Sequence, residues 1–285
     1  MTRVCLWGTR GSVAAPGPDT QRYGGNTSCV EVRGRENTVL VLDAGTGLRR
    51  LAHDLPPDLR RVDILLTHLH MDHIQGLGFF AALRDPHIEV HIWGPASTTL
   101  NLQARLARYL SPPIFPVSLA DLPRMPILHE VPCADFDIGE FRLSTALVSH
   151  PGPTVGYRIT SADGVVTYLP DHEPALGANH FPLSRDWTSG YALAAHADLL
   201  VHDTQYTQPE YLERIGWGHS SIPQAFAFAR LADVARLVTF HHDPEHSDAD
   251  LDRFMVQAMA ESKPEFAVTT GAEGELFVLG KPDEN

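Results

Sequence analysis

Apolar residues along this chain gather in short runs separated by glycine, proline and polar turns, a rhythm that reads as strands more often than helices. Arg3–Trp7 enters the turn Gly8-Thr9-Arg10-Gly11-Ser12, and a Pro/Gly loop then leads to Gly25. Thr27–Arg33 and Thr38–Asp43 follow, each bounded by Gly, Asn or Asp. Asp43-Ala44-Gly45-Thr46-Gly47 turns the chain into a short helix over Leu48–Asp54. Val62–Thr67 reads as a buried strand and Ile88–Trp93 as another. Between Ala96 and Leu110, the spacing of Leu100, Leu102, Leu106 and Leu110 predicts an amphipathic helix. Pro112, Pro113, Pro116, Pro123 and Pro126 then punctuate an irregular stretch. Residues 96–128 are therefore a candidate rim or lid over a site, or a plain connector.

The second half repeats the style. Phe141–Ser149, Thr154–Thr160 and Val165–Leu169 are β-like, and Gly190–Ala197 is expected to be helical. Leu199–Val201 reads as a strand, Pro223–Ala235 as a helix, Leu237–Phe240 as a strand and Asp248–Ser262 as a helix. Strand–helix alternation in both halves predicts an α/β fold with two sheets packed face to face and helices outside. No repeat of fixed period and no shift in composition marks a linker, so one domain over residues 1–285 is expected.

Composition excludes more than it assigns. The 285 residues are 43% apolar and 20% charged, an ordinary globular balance that supports a substantial core. Thirty-five acidic against 22 basic residues give a formal charge of −13, which disfavours binding to a nucleic-acid backbone. Metal ions in a site would restore positive potential locally, so a small anionic substrate stays open. Cys5, Cys29 and Cys133 form neither a C-x-x-C pair nor a disulfide framework, which fits reduced thiols. Met1–Trp7 meets Gly8 too early for a secretory core, and no run approaches the length of a membrane helix. A soluble, cytoplasmic protein is the expectation, with no membrane partner. G-x-S-x-G, the phosphate-binding P-loop and a strand-linked G-x-G-x-x-G are all missing, which leaves serine-nucleophile and dinucleotide chemistry unsupported.

The informative stretch is Thr67-His68-Leu69-His70-Met71-Asp72-His73, directly after the apolar run Val62–Leu66. Three imidazoles and a carboxylate, all first-row metal ligands, stand at the end of a buried strand. On an extended segment His68 and His70 point to one side, because side chains alternate with period 2. Asp72 and His73 follow once the chain turns into the next element, Ile74–Leu83, and can face a second ion. Further ligand types close other strands: His150 after Phe141–Ser149, Asp171 after Val165–Leu169, and His241 after Leu237–Phe240. Any one of these is explained as a polar strand terminus. Together they describe a site built along one sheet edge. His242 rivals His241, which is preferred because it directly follows its strand.

Thr67–His73 resembles the H-x-H-x-D-H signature of the metallo-β-lactamase fold, most of the chain is similar to its ribonuclease Z-like branch, and the run His68–Leu77 resembles that branch's small cyclic phosphodiesterases. The resemblance implies a four-layer αββα sandwich of two mixed β-sheets with outer helices. It implies two divalent ions, Zn²⁺ first and Mn²⁺ as the alternative. His68, His70 and His150 would hold one ion, Asp72, His73 and His241 the other, and Asp171 would bridge them. Such a pair, about 3.5–4 Å apart, lowers the pKa of a shared water toward neutrality and clamps the oxygens of an in-line displacement. A bridging carboxylate offsets repulsion between two dications held that close.

Two more segments match the branch. The strand Leu199–Val201 runs into His202-Asp203, and Trp217-Gly218-His219-Ser220-Ser221 precedes a helix. Asp203 and His219 match an acid pair near the leaving group, with Asp where the family usually has Glu and Ser221 where it has Thr. The plainer reading of His219 is a neighbour of a helix-capping serine. The turns Gly8–Ser12 and Gly24–Ser28 resemble the branch's N-terminal turns, which makes Arg10, Ser12 and Asn26 candidates for substrate contact.

The function expected from all this is a dinuclear metal phosphodiesterase acting on a small cyclic phosphate, most simply a cyclic mononucleotide. Ribonuclease Z-type tRNA 3′ processing is the alternative; no Lys/Arg- and Gly-rich arm to grip tRNA is present, and the acidic balance weighs against it. An ester, thioester or lactone hydrolase on the same fold is a further alternative, as is a metal-binding sensor without turnover. The expected assembly is a homodimer in which the Pro-rich stretch Ser111–Pro126 rims the partner's cleft.

Overall fold

In the computed structural model, which describes residues 1–176, 181–182 and 184–280, fourteen strands form two seven-stranded sheets. The remaining residues of the expected domain, 281–285 among them, lie outside the described part. The first sheet takes β1 (Thr2–Gly8), β2 (Cys29–Arg33), β3 (Val39–Leu42), β4 (Arg61–Leu65), β5 (Glu89–Pro95) and β6 (Ile127–Val131) in chain order. The second takes β7 (Asp135–Ile138), β8 (Phe141–Leu147), β9 (Val155–Ser161), β10 (Gly164–Leu169), β11 (Leu199–Asp203), β12 (Arg236–Phe240) and β13 (Ala267–Thr270). β14 (Leu276–Leu279) returns to pair antiparallel with β1.

Each sheet has an antiparallel part that gives way to a parallel one. β1, β2 and β3 alternate in direction, after which β3, β4, β5 and β6 run parallel. β7 to β10 alternate likewise, and β10 to β13 run parallel. The inner parallel strands of both sheets are buried on two faces, which is why Val39–Leu42 and Leu199–Val201 read as unbroken apolar runs.

The side-chain period of 2 sorts these runs into three apolar layers. Leu40, Leu42 and Leu65 face Val201, Val238 and Phe240 between the sheets. Val39, Val41, Val62 and Ile64 point the other way, under the outer elements of the first sheet. Leu200 and Leu237 face the helices covering the second sheet. The result is the four-layer αββα sandwich.

The helices are α1 (Leu48–Leu51), α2 (Met71–Ile74), α3 (Leu102–Ala107), α4 (Tyr191–Ala194), α5 (Gln208–Leu212), α6 (Ile222–Leu231) and α7 (Asp248–Ser262). Two of them start where local chemistry dictates. Ser221 caps α6 and Ser247 caps α7, each accepting from the third backbone N–H and completed by Gln224 and Asp250. α7 buries Leu251, Met255 and Ala258, an i, i+4, i+7 stripe.

Three expectations shift. The helix predicted over 96–110 contracts to α3, because Asn101 caps it and accepts from Ala104 N–H. The rim candidate is packed down: Tyr109, Leu110, Phe115 and Leu119 are buried in the outer layer of the first sheet, and the Tyr109 hydroxyl donates to Gln75 O. The element after the His-rich motif is the single turn α2 followed by 3-10 turns, and α2 itself carries Asp72 and His73. No helix among the described residues is long and apolar enough to cross a membrane.

Candidate metal centre

The carboxyl ends of the parallel strands from both sheets meet at one edge, where an α/β sheet presents its loops to a ligand. β4 delivers His68, His70 and, through α2, Asp72 and His73. The loop after β8 delivers His150, β10 delivers Asp171, and β12 delivers His241. Two sets of donor atoms result, each lying within 4.8 Å: His68, His70 and His150, and Asp72, His73, Asp171 and His241.

Asp171 stands between the sets and turns one oxygen to each. Its Oδ2 is 3.7 Å from His68 Nε2 and 3.8 Å from His150 Nε2. Its Oδ1 is 3.0 Å from His73 Nε2 and 3.3 Å from His241 Nε2. Asp72 Oδ2 lies 3.2 Å from both His73 Nε2 and His241 Nε2. His68 Nε2, His73 Nε2 and Asp171 Oδ1 are buried without a hydrogen-bond partner. Native structures rarely leave such atoms bare, and a divalent cation between them supplies the missing partner. The donor set is that of a divalent-metal site.

The other ring nitrogens are each held. His73 Nδ1 donates to Asp43 Oδ2 at 2.8 Å, His150 Nδ1 to Gly218 O at 2.9 Å and His241 Nδ1 to Gln205 Oε1 at 2.9 Å. His68 Nδ1 lies 3.1 Å from Thr67 Oγ1, which in turn bonds Asp43. These partners set the tautomer that leaves Nε2 facing the cluster. His70 instead presents Nδ1, 3.3 Å from His150 Nε2.

Charge is shared across the cluster. Burial alone would raise the carboxyls of Asp72 and Asp171, yet the surrounding histidines hold both well below the usual range. Burial also disfavours charge on His73, but Asp171, Asp72 and Asp43 outweigh it and push its pKa well above the usual imidazole value. His68, with more histidine than carboxylate around it, is driven neutral, mainly by burial. Binding a cation here therefore displaces protons.

Beside the cluster, His219 Nδ1 donates to Asp203 Oδ2 at 2.7 Å and lies 3.9 Å from Asp171 Oδ2. The His219 ring stacks on His241, centroids 5.0 Å apart. Asp203 is fully buried and also accepts from His172 N–H and Gln205 N–H. Burial works against charge on His219, but Asp203 leads the groups that push its pKa up to about 9. Ser221 is the helix cap, whereas Ser220 Oγ donates to His172 O.

The substrate-contact candidates separate. Ser12 stays at the site: its N–H donates to Asp72 Oδ2 and its hydroxyl accepts from Gln205. Arg10 does not fit its expected role. It is fully buried and donates to the carbonyls of Gly24, Asp243 and His246, so its charge staples loops instead of facing a phosphate. Asn26 also departs from it, because its amide and N–H are both spent on Glu273. His242 turns away from the cluster and donates Nε2–H to Gly271 O, burial lowering its pKa to about 3.

Sequence reasoning missed Asp43 and Gln205. Asp43 was legible only as the first residue of a Gly-rich turn, and Gln205 carried no signal. His241 adopts φ 59°, a left-handed conformation, and its ring fits only because residue 11 lacks a side chain: a Cβ there would stand 2.3 Å from His241 Nδ1.

Two packed mixed sheets with a His/Asp metal cluster and a carboxylate-oriented histidine at their shared edge define a metal-dependent hydrolase. The family model of the β-lactamase superfamily domain matches residues 38–242. Ribonuclease Z of Mycobacterium avium (strain 104) is 30% identical over 264 residues, covering 86% of this chain and 87% of the relative. Ribonuclease Z of Thermoplasma volcanium is 24% identical over 255 residues, covering 73% and 79%. Among solved structures, the metallo-β-lactamase fold protein YhfI of Bacillus subtilis superposes with TM-score 0.69 at 18% identity, covering 98% of this chain and 100% of that one. The chain belongs to the β-lactamase superfamily, in its ribonuclease Z-like branch, and is a metal-dependent hydrolase.

Proposed function

We propose that this protein hydrolyses a small cyclic phosphodiester, most simply a cyclic mononucleotide, at two divalent ions of which Zn²⁺ is the first candidate. His68, His70 and His150 would hold one ion, Asp72, His73 and His241 the other, with Asp171 giving one oxygen to each. When bound, such a pair lowers the pKa of a shared water and polarises the phosphoryl oxygens. The protein's own part is to orient and to protonate. Asp72 is steered by the Ser12 N–H, and His241 by Gln205.

The observation that carries the reading is the Asp203–His219 contact at 2.7 Å beside the metal cluster. Asp203 binds Nδ1–H and leaves Nε2 as the nitrogen that hands a proton to the departing alkoxide. A thioester releases a thiolate, which has far less need of such an acid, so the pair supports an alkoxide leaving group such as that of a phosphoester. The formal charge of −13, from 35 acidic against 22 basic residues, supports a small substrate over a long polyanion.

The second reading is tRNA 3′ processing, and the ribonuclease Z relatives favour it. A turnover screen of the Zn²⁺- or Mn²⁺-loaded protein against cyclic mononucleotides, bis-p-nitrophenyl phosphate, a thioester and a tRNA precursor separates the cases. Turnover of the cyclic mononucleotide without the precursor is expected. Cleavage of the precursor alone replaces the first reading by the second.

A further inference from the structure

We infer that Glu173 is a positioning residue that sets, through a single loop, both the metal-facing histidine His150 and the candidate acid His219. The acid half of this inference rests on the phosphodiesterase reading; the histidine half does not.

Asp171-His172-Glu173 leaves β10 and bonds in three directions. His172 N–H donates to Asp203 Oδ2 at 3.2 Å, His172 O accepts from Ser220 Oγ at 2.6 Å, and Glu173 N–H donates to Ser149 O at 3.0 Å. The same tripeptide thus holds the strand end before His150, the carboxylate behind His219 and the residue after His219.

The Glu173 side chain completes the arrangement. It is fully buried, and each partner is a donor: Gly216 N–H at 3.1 Å to both oxygens, Gly218 N–H at 3.0 Å to Oε2 and the Tyr211 hydroxyl at 2.8 Å to Oε1. A carboxylate is acceptor-only and can satisfy all of them at once. Gly216 and Gly218 both have left-handed φ, 87° and 88°, a conformation that places two nearby N–H groups on one acceptor without side-chain strain.

Gly218 is the point of transfer. Its carbonyl accepts from His150 Nδ1 at 2.9 Å, which aims His150 Nε2 at His70 and Asp171. The next residue is His219. A Cβ at position 218 would lie 2.2 Å from His150 Nδ1, so loop and ring are in close contact with no slack between them. A loop released by Glu173 moves both groups together, because Gly218 bonds His150 and directly precedes His219.

The test compares Glu173→Ala with Glu173→Gln. The amide oxygen of Gln can keep both glycine N–H groups and its NH₂ can donate to the Tyr211 hydroxyl, but that NH₂ also crowds the Gly216 N–H, so Gln is expected to fall between wild type and Ala. Zn²⁺ affinity of the metal-free protein, read by chelator competition, should fall by roughly 10- to 100-fold in the Ala variant, the size of effect that loss of an outer partner has on a ligating histidine. Cleavage of a phosphodiester with an alkoxide leaving group should fall by about 10²-fold more than cleavage of a nitrophenyl ester, as a misplaced acid implies. A folded Ala variant with wild-type Zn²⁺ affinity and equal losses on both esters overturns the inference. If Glu173→Ala does not fold, Tyr211→Phe loosens the same carboxylate and should move both readouts the same way, less far; no movement in either overturns it as well. A wild-type protein that cleaves neither ester instead sinks the phosphodiesterase reading, and the Zn²⁺ series then decides Glu173 alone.

Discussion

Asp43→Asn is the sharpest test of how the metal centre is assembled. Asp43 is fully buried, and its two oxygens divide the work. Oδ1 accepts Thr67 N–H at 2.8 Å, while Oδ2 accepts Tyr168 O–H at 3.0 Å and His73 Nδ1–H at 2.8 Å. Thr67 Oγ1 bonds the carboxylate as well and faces His68 Nδ1. A backbone N–H cannot reverse, so an Asn oxygen must stay on Thr67 and the amide NH₂ must take the Oδ2 position. Tyr168 can rotate its hydroxyl and accept. His73 has no such freedom: facing a donor, its Nδ1 must carry the lone pair, which fixes the remaining ring proton on Nε2, aimed at Asp171 Oδ1 and Asp72 Oδ2, 3.0 and 3.2 Å away. The ligand nitrogen is then blocked by its own proton. Outer-shell losses of this kind cost about 10- to 100-fold in metal affinity. Asp43→Ala is less informative, because it strands several buried donors at about 1–3 kcal/mol each and threatens the fold itself. The assay is chelator competition on the metal-free Asn variant, with thermal unfolding followed with and without Zn²⁺. Wild-type affinity in a folded Asn variant would refute the tautomer argument.

Asp171→Ala should lose the metal pair instead of merely slowing turnover, since each Asp171 oxygen faces a different donor set; full two-metal occupancy by elemental analysis would contradict the bridge. His219→Ala should slow cleavage of an alkoxide ester by roughly 10²–10⁴-fold and hardly touch a nitrophenyl ester, with metal content retained; equal losses would remove the acid role. The His219 proton is held up to about pH 9 before metal charge is added beside it, and nearby dications favour its loss, so the alkoxide reaction should decline on an alkaline limb at or below that pH. That limb should be missing from the pH profile of His219→Ala.

Much of the site was written locally. His68, His70, Asp72 and His73 sit within six residues at the end of an apolar run, and His150, Asp171, Asp203 and His241 each close a strand whose buried faces make it legible. β6, β7, β13 and β14 escaped because short, partly exposed edge strands lack the alternation that marks burial. Tertiary structure decided what the remaining polar residues do. Arg10, in a turn that suggested ligand contact, became a buried staple, and Asn26 went to Glu273. Asp43, Gln205 and Glu173 look like turn or loop residues in sequence, yet they hold His73, His241 and the Gly218 loop across separations of 30, 36 and 45 positions. A ligand at a strand end announces itself through the strand. A hydrogen-bond partner is defined by the atom it meets, and only the closing of one sheet on the other brings that atom within reach.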